Sequence, residues 1–216
     1  MAKKYSAVFF DNDGILVDTE HFYYYANRDI LQTVGVDLTP ELYHEFFLVE
    51  SSGAWHLAQE RGYTDAAIEE MRSLRNQRYL DYLMHEDVVI PGVRTVIDQL
   101  YGIVQMGVVT SSYREHFDRI HKNTGLLHFF DFVLTQGDYT HSKPHPEPYS
   151  LAQKKSGKQP NECIVIEDSQ RGLLAAKAAG LECWVIPRGL TQGADFSQAD
   201  RILSNINEIV PLILGD

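Results

Sequence analysis

Short apolar runs alternate along this chain with segments whose apolar residues recur at helical spacing. The runs are typical of strands buried on both faces. Strands are predicted at Ala7–Phe10, Val104–Val109, Phe132–Leu134, Cys163–Ile166, Cys183–Ile186 and Ile202-Leu203. Helices are predicted at Val93–Leu100, Arg114–Asn123, Pro146–Lys155, Arg171–Ala179 and Asn207–Leu214. This alternation favours a doubly wound, Rossmann-like α/β core, in which helices cover both faces of a parallel sheet.

One interval, from Asp18 to about Glu86, breaks the alternation. It contains no convincing strand, and its apolar residues recur at helical spacing, as between Phe22 and Val34. The predicted boundaries are 1–17 with 88–216 for the α/β core domain, and 18–87 for a small inserted α-helical cap domain. Because both connections to the insert lie beside the end of the first strand, the cap is placed to act as a lid.

Composition and charge narrow the classes of partner. The 216 residues are 44% hydrophobic and 23% charged, which are ordinary values for a globular protein and argue against disorder. The net charge of −11 disfavours nucleic acid and anionic membrane, since both need a basic surface. A small anionic substrate stays compatible, because a lysine or a bound cation reverses the field locally. We expect a monomer or weak homodimer.

Cysteine usage and apolar run length bear on location. Cys163 and Cys183 each lie within a predicted strand, which favours two buried thiols in a reducing compartment over a disulfide. No apolar stretch approaches the ~18 residues of a membrane span, and the one near the start is too short for a signal peptide. The expected location is cytoplasmic.

The segment YSAVFFDNDGILVD carries the strongest chemical signal. Asp11 and Asp13 follow the first predicted strand, and side chains two residues apart in an extended chain point the same way. Two carboxylates directed at one point repel each other unless a cation or a shared proton intervenes. Gly14 then allows the backbone to turn away. A catalytic pair is therefore favoured over a simple turn cap.

Three more polar clusters follow other predicted strands: Thr110 with Ser111 and Ser112, then Lys143, then Glu167 with Asp168. The carboxyl ends of parallel strands share one edge of the sheet, which is where ligands bind. Asp11 could attack a phosphorus atom while Asp13 protonates the leaving oxygen. Carboxylates of this cluster suit Mg²⁺, and a lysine and a hydroxyl suit phosphate. Backbone N–H groups after Thr110, at a predicted helix start, would add donors for the anion.

Two histidines near Lys143 suggest a different function for the same loop. His141 and His145 flank Lys143, which suggests zinc, but the sequence shows no partner set with ligand spacing, so a polar loop is favoured. Weaker candidates for substrate contacts are Glu20, Tyr23, Arg75 and Arg114. For Glu20 a plain helix N-terminus is as good an explanation, and for Arg75 a solvated helix face is favoured.

The stretches DNDGILVDTE, GVVTSS, SKPHPEPY and IEDSQRGLLAAKAAG together resemble the haloacid dehalogenase (HAD) superfamily, in the subgroup with a helical cap inserted after the first strand. The resemblance implies that Asp11 is a nucleophile that forms an aspartyl-phosphate and that Asp13 is the general acid and base. It implies phosphate contacts from Thr110, Ser111 and Lys143. It also implies Mg²⁺ held by Asp11, the backbone carbonyl of Asp13, and Asp168, with Glu167 in support.

Departures from the family pattern bear on the reaction. β-Phosphoglucomutases place a histidine where this chain has Tyr23, and their cap arginine has no clear counterpart in LVESSGAW, although Arg75 falls where a basic cap residue is expected. Dehalogenases lack an acid at the position of Asp13. The resemblance therefore implies a Mg²⁺-dependent phosphatase for a small phosphorylated metabolite, such as a sugar or polyol phosphate. A hexose-phosphate mutase is the alternative, followed by a dehalogenase and by a catalytically silent binding module.

Overall fold

The computed structural model describes residues 5–50, 52–85 and 87–215. The chain divides into two compact units, of which the first runs to Asp18 and resumes at Val88, and the second comprises Thr19–Asp87. Within the described ranges, no helix is both long enough and apolar enough to cross a bilayer.

The first unit is built on one sheet of parallel strands. The strands of the described chain are β1 (Ala7–Phe10), β2 (Gln105–Tyr113), β3 (Phe132–Gln136), β4 (Cys163–Glu167), β5 (Glu182–Val185) and β6 (Arg201–Ile202). Their order is β3-β2-β1-β4-β5-β6, and every pair is parallel. The direction of winding therefore reverses beside β1, which makes the edge next to β1 and β4 the switch point where ligands bind in such sheets. This arrangement confirms the predicted α/β parallel-sheet fold.

Helices follow the strands in most of the predicted places. The α-helices are α1 (Glu20–Gln32), α2 (Pro40–Tyr43), α3 (His56–Gln59), α4 (Asp65–His85), α5 (Val93–Leu100), α6 (Arg114–His121), α7 (Glu147–Ser156), α8 (Gln170–Ala178) and α9 (Ile209–Leu214). A π-helical segment spans His44–Val49, and short 3-10 turns lie at Leu127–Phe129, Pro160–Glu162, Gly189–Thr191 and Ile206–Glu208. The last predicted helix was too long at its start, because a 3-10 turn precedes α9.

The residue pairing between neighbouring strands determines which residues lie side by side at the carboxyl ends of the strands. Phe10 lies opposite both Val108 of β2 and Ile166 of β4. The N–H of Asp11 continues this ladder by donating to the carbonyl of Ile166 at 2.9 Å. β1 is fully buried along its length, as a central strand covered on both faces must be. Asp11 and Glu167 therefore leave the sheet side by side.

A buried hydrogen-bond network fixes the loop that follows β1. The carbonyl of Asn12 accepts the N–H groups of Leu16 and Val17, at 2.8 and 3.1 Å. The side-chain oxygen of Asn12 lies 2.7 Å from Nε2 of His121, whose Nδ1 lies 3.0 Å from the hydroxyl of Thr124. An amide oxygen only accepts, so Nε2 of His121 carries the hydrogen. α6 is thereby tied to the residue between the two aspartates.

The second unit contains α1 to α4, with α1 packed against α4. Arg75 of α4 is only 9% exposed, so the expected solvated face was wrong. Its guanidinium donates to the Tyr23 hydroxyl at 2.6 Å and to the side-chain oxygen of Asn27 at 2.8 Å. It also lies over the ring of Tyr23, at 4.7 Å from the centroid. A buried arginine with these partners holds the two long helices of this unit together.

Replacing His121 by Gln should remove a pH dependence of stability. Burial lowers the pKa of His121 from 6.5 to about 4, so the unfolded chain binds the extra proton between these values. The neutral His121 ring therefore makes its full contribution to the free energy of unfolding above pH 6.5, and this contribution is lost as the pH falls towards 4. The resulting change in the free energy of unfolding is on the order of 3 kcal/mol.

Urea unfolding of wild type and His121→Gln at several pH values measures this effect. The stability advantage of the wild type should shrink on acidification, whereas His128→Gln, on an exposed side chain, should track the wild type throughout. A difference between wild type and His121→Gln that stays constant from neutral pH to pH 4 would contradict the assignment of the neutral buried ring.

Gly172 in α8 is required by the close approach of the helix to the end of β4. A Cβ atom built on Gly172 would lie 1.8 Å from Oε1 of Glu167, so alanine cannot fit unless the carboxylate moves. Overpacking of this kind costs about 1–3 kcal/mol, which outweighs the ~1 kcal/mol that alanine gains in helix propensity. Gly172→Ala should therefore be destabilised in urea unfolding, while Gly193→Ala, with open space around it, should not be. Equal stability of the two variants would refute the close-approach argument.

Candidate active site

The buried ammonium of Lys143 lies at the centre of the candidate site. Nζ donates to Oδ1 of Asp11 at 2.6 Å, to Oε1 of Glu167 at 2.7 Å and to the carbonyl of Val109 at 2.9 Å. All three of its hydrogens are thus directed at acceptors: an acid that follows β1, an acid at the end of β4 and a carbonyl within β2. The loop after β3 carries Lys143, so the sequence-predicted clusters after β1, β3 and β4 meet at one point.

Burial and charge act in opposite directions on Lys143. Burial alone lowers the pKa of an ammonium, but the neighbouring charges of Asp11 and Glu167 outweigh it and hold the pKa of Lys143 above its ordinary range. Only 5% of the Lys143 side chain is exposed. The residue therefore stays charged at neutral pH and serves as a fixed positive charge.

Asp11 shows that the site carries more negative charge than Lys143 neutralises. Burial raises the pKa of Asp11 to about 7, and repulsion from Glu167 adds to the effect, although Lys143 opposes it. Asp13 contributes further repulsion. An additional positive charge near Asp11 would lower this pKa and favour the ionised form.

Glu167 is fully buried and has many hydrogen-bond donors around it. Oε1 accepts from Lys143 and, at 2.6 Å, from the hydroxyl of Tyr149 in α7. Oε2 accepts from the hydroxyl of Ser169 at 2.9 Å and from the N–H groups of Asp168 and Ser169 at 3.2 and 3.3 Å. Lys143 lowers the pKa of Glu167 although burial alone would raise it. This carboxylate is best placed to hold Lys143 and the start of α8.

The oxygen atoms of three acids lie close enough to share a cation. Asp11, Glu167 and Asp168 each offer a carboxylate oxygen, all within 4.8 Å of one another. Gly14 has φ of +83°, and a Cβ there would lie 2.1 Å from Oδ2 of Asp168, so glycine gives Asp168 the room to approach this loop. Hard oxygen ligands of this kind suit a divalent cation such as Mg²⁺.

Asp13 is held by neighbours on both sides. Its Oδ2 accepts from the hydroxyl of Ser112 and from the side-chain N–H of Asn12, both at 3.3 Å. Asn12 is oriented in turn by His121. Asp13 is half-buried, whereas Asp11 is 8% exposed, so Asp13 is the more accessible of the two acids. A mobile proton is easier to supply and remove at such a position.

The hydroxyl cluster lies within β2, which continues to Tyr113. Thr110 is buried, and its Oγ1 accepts from the N–H of Ser112 at 3.0 Å. Its carbonyl accepts from the hydroxyl of Tyr139 at 2.7 Å. The predicted helix start at Arg114 is confirmed, but the predicted end of the strand at Val109 was too early. The N–H groups directly after Thr110 lie in β2 and not at a helix start. Anion donors from this segment would therefore come from the end of a strand.

The weaker candidates lie apart from the carboxylate cluster or in the second unit. Arg114 is exposed and lies 3.7 Å from both Asp118 and Asp138, on the first unit. In the second unit, Glu20 accepts a short hydrogen bond from the hydroxyl of Tyr43. Tyr23 and Arg75 are paired as described above.

Sequence reasoning missed Tyr149, Ser169 and the pair Asn12 and His121. The first two contact Glu167 from neighbouring elements, and no motif in the chain indicates which tyrosine or serine will do so. Asn12 did carry a signal, because a polar residue between two acids at the end of a buried strand needs a buried partner. His121 is that partner.

Known proteins resemble this chain in sequence and in fold. The chain is 30% identical over 187 residues to the phosphorylated carbohydrates phosphatase of Thermotoga maritima, covering 82% of each protein. It is 28% identical over 185 residues to the fructose-1-phosphate phosphatase YqaB of Escherichia coli, covering 84% of this chain and 96% of YqaB. The fold is similar to that of β-phosphoglucomutase from Clostridium difficile, with a TM-score of 0.78 at 21% identity, covering 95% of this chain and 93% of that one.

The family match extends over most of the chain. Residues 8–186 match the haloacid dehalogenase-like hydrolase family, a span that begins in β1 and ends just beyond β5. It includes the strand ends that supply Asp11, Thr110 and Glu167, and the loop that supplies Lys143. The predicted family is confirmed: this protein belongs to the haloacid dehalogenase-like hydrolases.

Proposed function

We propose that this protein is a Mg²⁺-dependent phosphatase that hydrolyses a small phosphomonoester, such as a sugar or polyol phosphate. The observation that carries the proposal is the buried contact of Lys143 with Asp11 and Glu167, beside Asp168. This contact supports the proposal because the carboxylate proposed as nucleophile, a fixed positive charge and hard oxygen atoms lie close together. The names of the relatives from Thermotoga maritima and Escherichia coli support a phosphorylated sugar as the substrate class.

Asp11 and Asp13 divide the chemistry between them. A carboxylate oxygen of Asp11 attacks phosphorus, the bond from phosphorus to the leaving oxygen breaks, and protonated Asp13 gives its proton to that oxygen. Water then attacks the aspartyl-phosphate, Asp13 takes up a proton from it, and inorganic phosphate leaves with Asp11 restored. The hydrogen bonds from Ser112 and Asn12 fix the orientation of Asp13 for both transfers.

Electrostatic repulsion is the main barrier to the first step. A carboxylate that approaches a dianionic phosphate to ~4 Å is opposed by roughly 8 kcal/mol at an effective dielectric of about 20. Lys143 offsets part of it, and the hydroxyls of Thr110 and Ser111 and the N–H groups near them are the proposed phosphate donors. Mg²⁺ bound by Asp11, Asp168 and the carbonyl of Asp13 would supply the further positive charge, with Glu167 in support.

A hexose-phosphate mutase is the second candidate, and the fold of β-phosphoglucomutase favours it. Such an enzyme returns the phosphoryl group to the sugar instead of to water. The position at which those mutases carry a cap histidine is Tyr23 here, and its hydroxyl accepts from Arg75. A phenol in this contact does not replace an imidazole as a proton carrier, because burial raises the pKa of Tyr23 above its usual value. We therefore prefer hydrolysis.

The proposal also covers the cellular location, the partner and the oligomeric state of the protein. Cys163 and Cys183 are both buried and free, which supports the predicted thiols and is consistent with a reducing, cytoplasmic location. The acidic net charge of −11 supports a small metabolite as the partner and disfavours nucleic acid and membrane. We propose a monomer or weak homodimer, which size-exclusion chromatography measures directly.

Phosphate release from a panel of phosphomonoesters tests the function. With Mg²⁺, the purified protein should release phosphate from at least some sugar or polyol phosphates, and EDTA should abolish the release. Asp11→Asn should lower kcat by at least about 10³-fold, since the nucleophile is removed, with the fold unchanged by circular dichroism. Isomer formation without net phosphate would favour the mutase, and halide release from 2-haloacids a dehalogenase. An Asp11→Asn variant that retains most activity would exclude Asp11 as the nucleophile.

Lys143→Met should impair both activity and stability. Removing the ammonium leaves the carboxylates of Asp11 and Glu167 buried and facing each other, and breaking a buried pair costs about 3–5 kcal/mol. Lys177→Met is the matched control, because its partner Asp200 is at the surface and such a pair contributes about 1 kcal/mol or less. Urea unfolding gives the stabilities, and phosphate release gives the activity. Equal destabilisation by the two substitutions would show that Lys143 does not neutralise the cluster.

A further inference from the structure

The loop between β3 and α7 carries a second cluster of metal-binding side chains, separate from the carboxylate site. His141, His145 and Glu147 each offer one ligand atom, and these atoms all lie within 4.8 Å of one another. In the part of the chain that the structure describes, this is the one such group that contains imidazole. The sequence showed no third ligand for the two histidines. The fold supplies one, because the first residue of α7 turns back towards the loop.

The distances are close to those of a metal site. Nδ1 of His141 lies 2.8 Å from Oε2 of Glu147, and Nδ1 of His145 lies 3.9 Å from the same oxygen. The centroids of the two imidazole rings are 4.5 Å apart, and the ring planes make an angle of 35°. Ligand atoms of a tetrahedral Zn²⁺ ion, each at about 2.0–2.1 Å from the metal, are about 3.3 Å apart. The two observed distances from the histidine nitrogens to Oε2 of Glu147, 2.8 and 3.9 Å, lie on either side of that spacing.

The carboxylate of Glu147 is already fixed in place. Oε1 accepts the N–H of Thr140 and Oε2 the N–H of His141, both at 2.9 Å. Nδ1 of His141 makes a further contact with Oε2, at 2.8 Å. The N–H of Glu147 donates to Nδ1 of His145 at 3.2 Å, which orients the second ring. One carboxylate and two imidazole rings are thus held together before any ion arrives.

The ligand types determine which ion fits. Two imidazoles and one carboxylate, with a fourth position open to water, suit Zn²⁺ and its neighbours in the first transition series. Mg²⁺ prefers an all-oxygen environment, which is the character of the group formed by Asp11, Glu167 and Asp168. The two clusters therefore differ in selectivity as well as in place.

We propose that His141, His145 and Glu147 form a Zn²⁺-type metal site that braces the loop carrying Lys143. His141 precedes Lys143 in the sequence, and His145 and Glu147 follow it. The carbonyl of Lys143 also accepts a hydrogen bond from the side chain of Arg171 at 2.8 Å. An ion held by these three residues joins the backbone before Lys143 to the backbone after it. It limits the movement of the backbone from which Nζ reaches Asp11 and Glu167. The site does not depend on the proposed phosphatase activity.

Isothermal titration with Zn²⁺ tests the site on the full, untagged chain in the presence of millimolar Mg²⁺. We expect one Zn²⁺ ion per chain in wild type. The double variant His141→Ala, His145→Ala and the single variant Glu147→Gln should bind at least about tenfold more weakly. His128→Ala, which removes another exposed histidine, should bind as wild type does. Replacement of Zn²⁺ by Co²⁺ should give the visible absorption of a tetrahedral site.

A further variant separates the two clusters. Asp11→Asn, Asp168→Asn removes two acids of the carboxylate group and should leave the Zn²⁺ affinity unchanged. The proposal is overturned if wild type binds no Zn²⁺, or if the double histidine variant binds it as tightly as wild type. It is also overturned if Zn²⁺ binding disappears with Asp11 and Asp168, since the ion then occupies the carboxylate cluster.

Discussion

The structure of the first unit depends on one buried ammonium placed between two buried carboxylates. Two like charges ~4 Å apart repel each other by about 4 kcal/mol at an effective dielectric of about 20. Lys143 converts that repulsion between Asp11 and Glu167 into two short hydrogen bonds. Its third bond, to the carbonyl of Val109, adds the middle of β2. A single side chain therefore connects the three central strands at the edge where ligands bind.

Neighbouring residues make this contact possible by supplying donors or by leaving space. Tyr149 and Ser169 hold the carboxylate of Glu167, and Gly172 leaves room for it beside α8. Gly14 does the same for Asp168. The acids still outnumber the lysine, and burial together with the neighbouring charge of Glu167 raises the pKa of Asp11. A surplus of oxygen ligands next to a fixed ammonium is what transfer of a phosphoryl group requires, because cation and phosphate each find an opposite charge there.

The sequence predicted most of the sheet, because central parallel strands must be apolar throughout and this property is local. It placed the end of β2 wrongly, since Thr110 to Ser112 have the polar character of a helix start but stay in the strand, which reaches as far as the pairing of Tyr113 with Gln136. Arg75 was taken for a surface residue because its partners Tyr23 and Asn27 are about fifty residues away. Burial by distant residues leaves no local pattern. The third ligand of the histidine cluster, Glu147, is close in sequence and partly exposed, but no motif shows that the first residue of α7 turns back towards the loop.

The separation of these residues along the chain also bears on how the protein is made. Lys143 and Asp11 are 132 positions apart, and Glu167 follows Lys143 by 24. During synthesis, β1 leaves the ribosome first, and domains complete their folding only when their last central elements are available. Asp11 cannot meet Lys143 until residue 143 has emerged, and it cannot meet Glu167 until residue 167 has emerged. A truncated product that ends before β4 therefore lacks the centre of the sheet, and such nascent chains are the ones most exposed to chaperones and proteases.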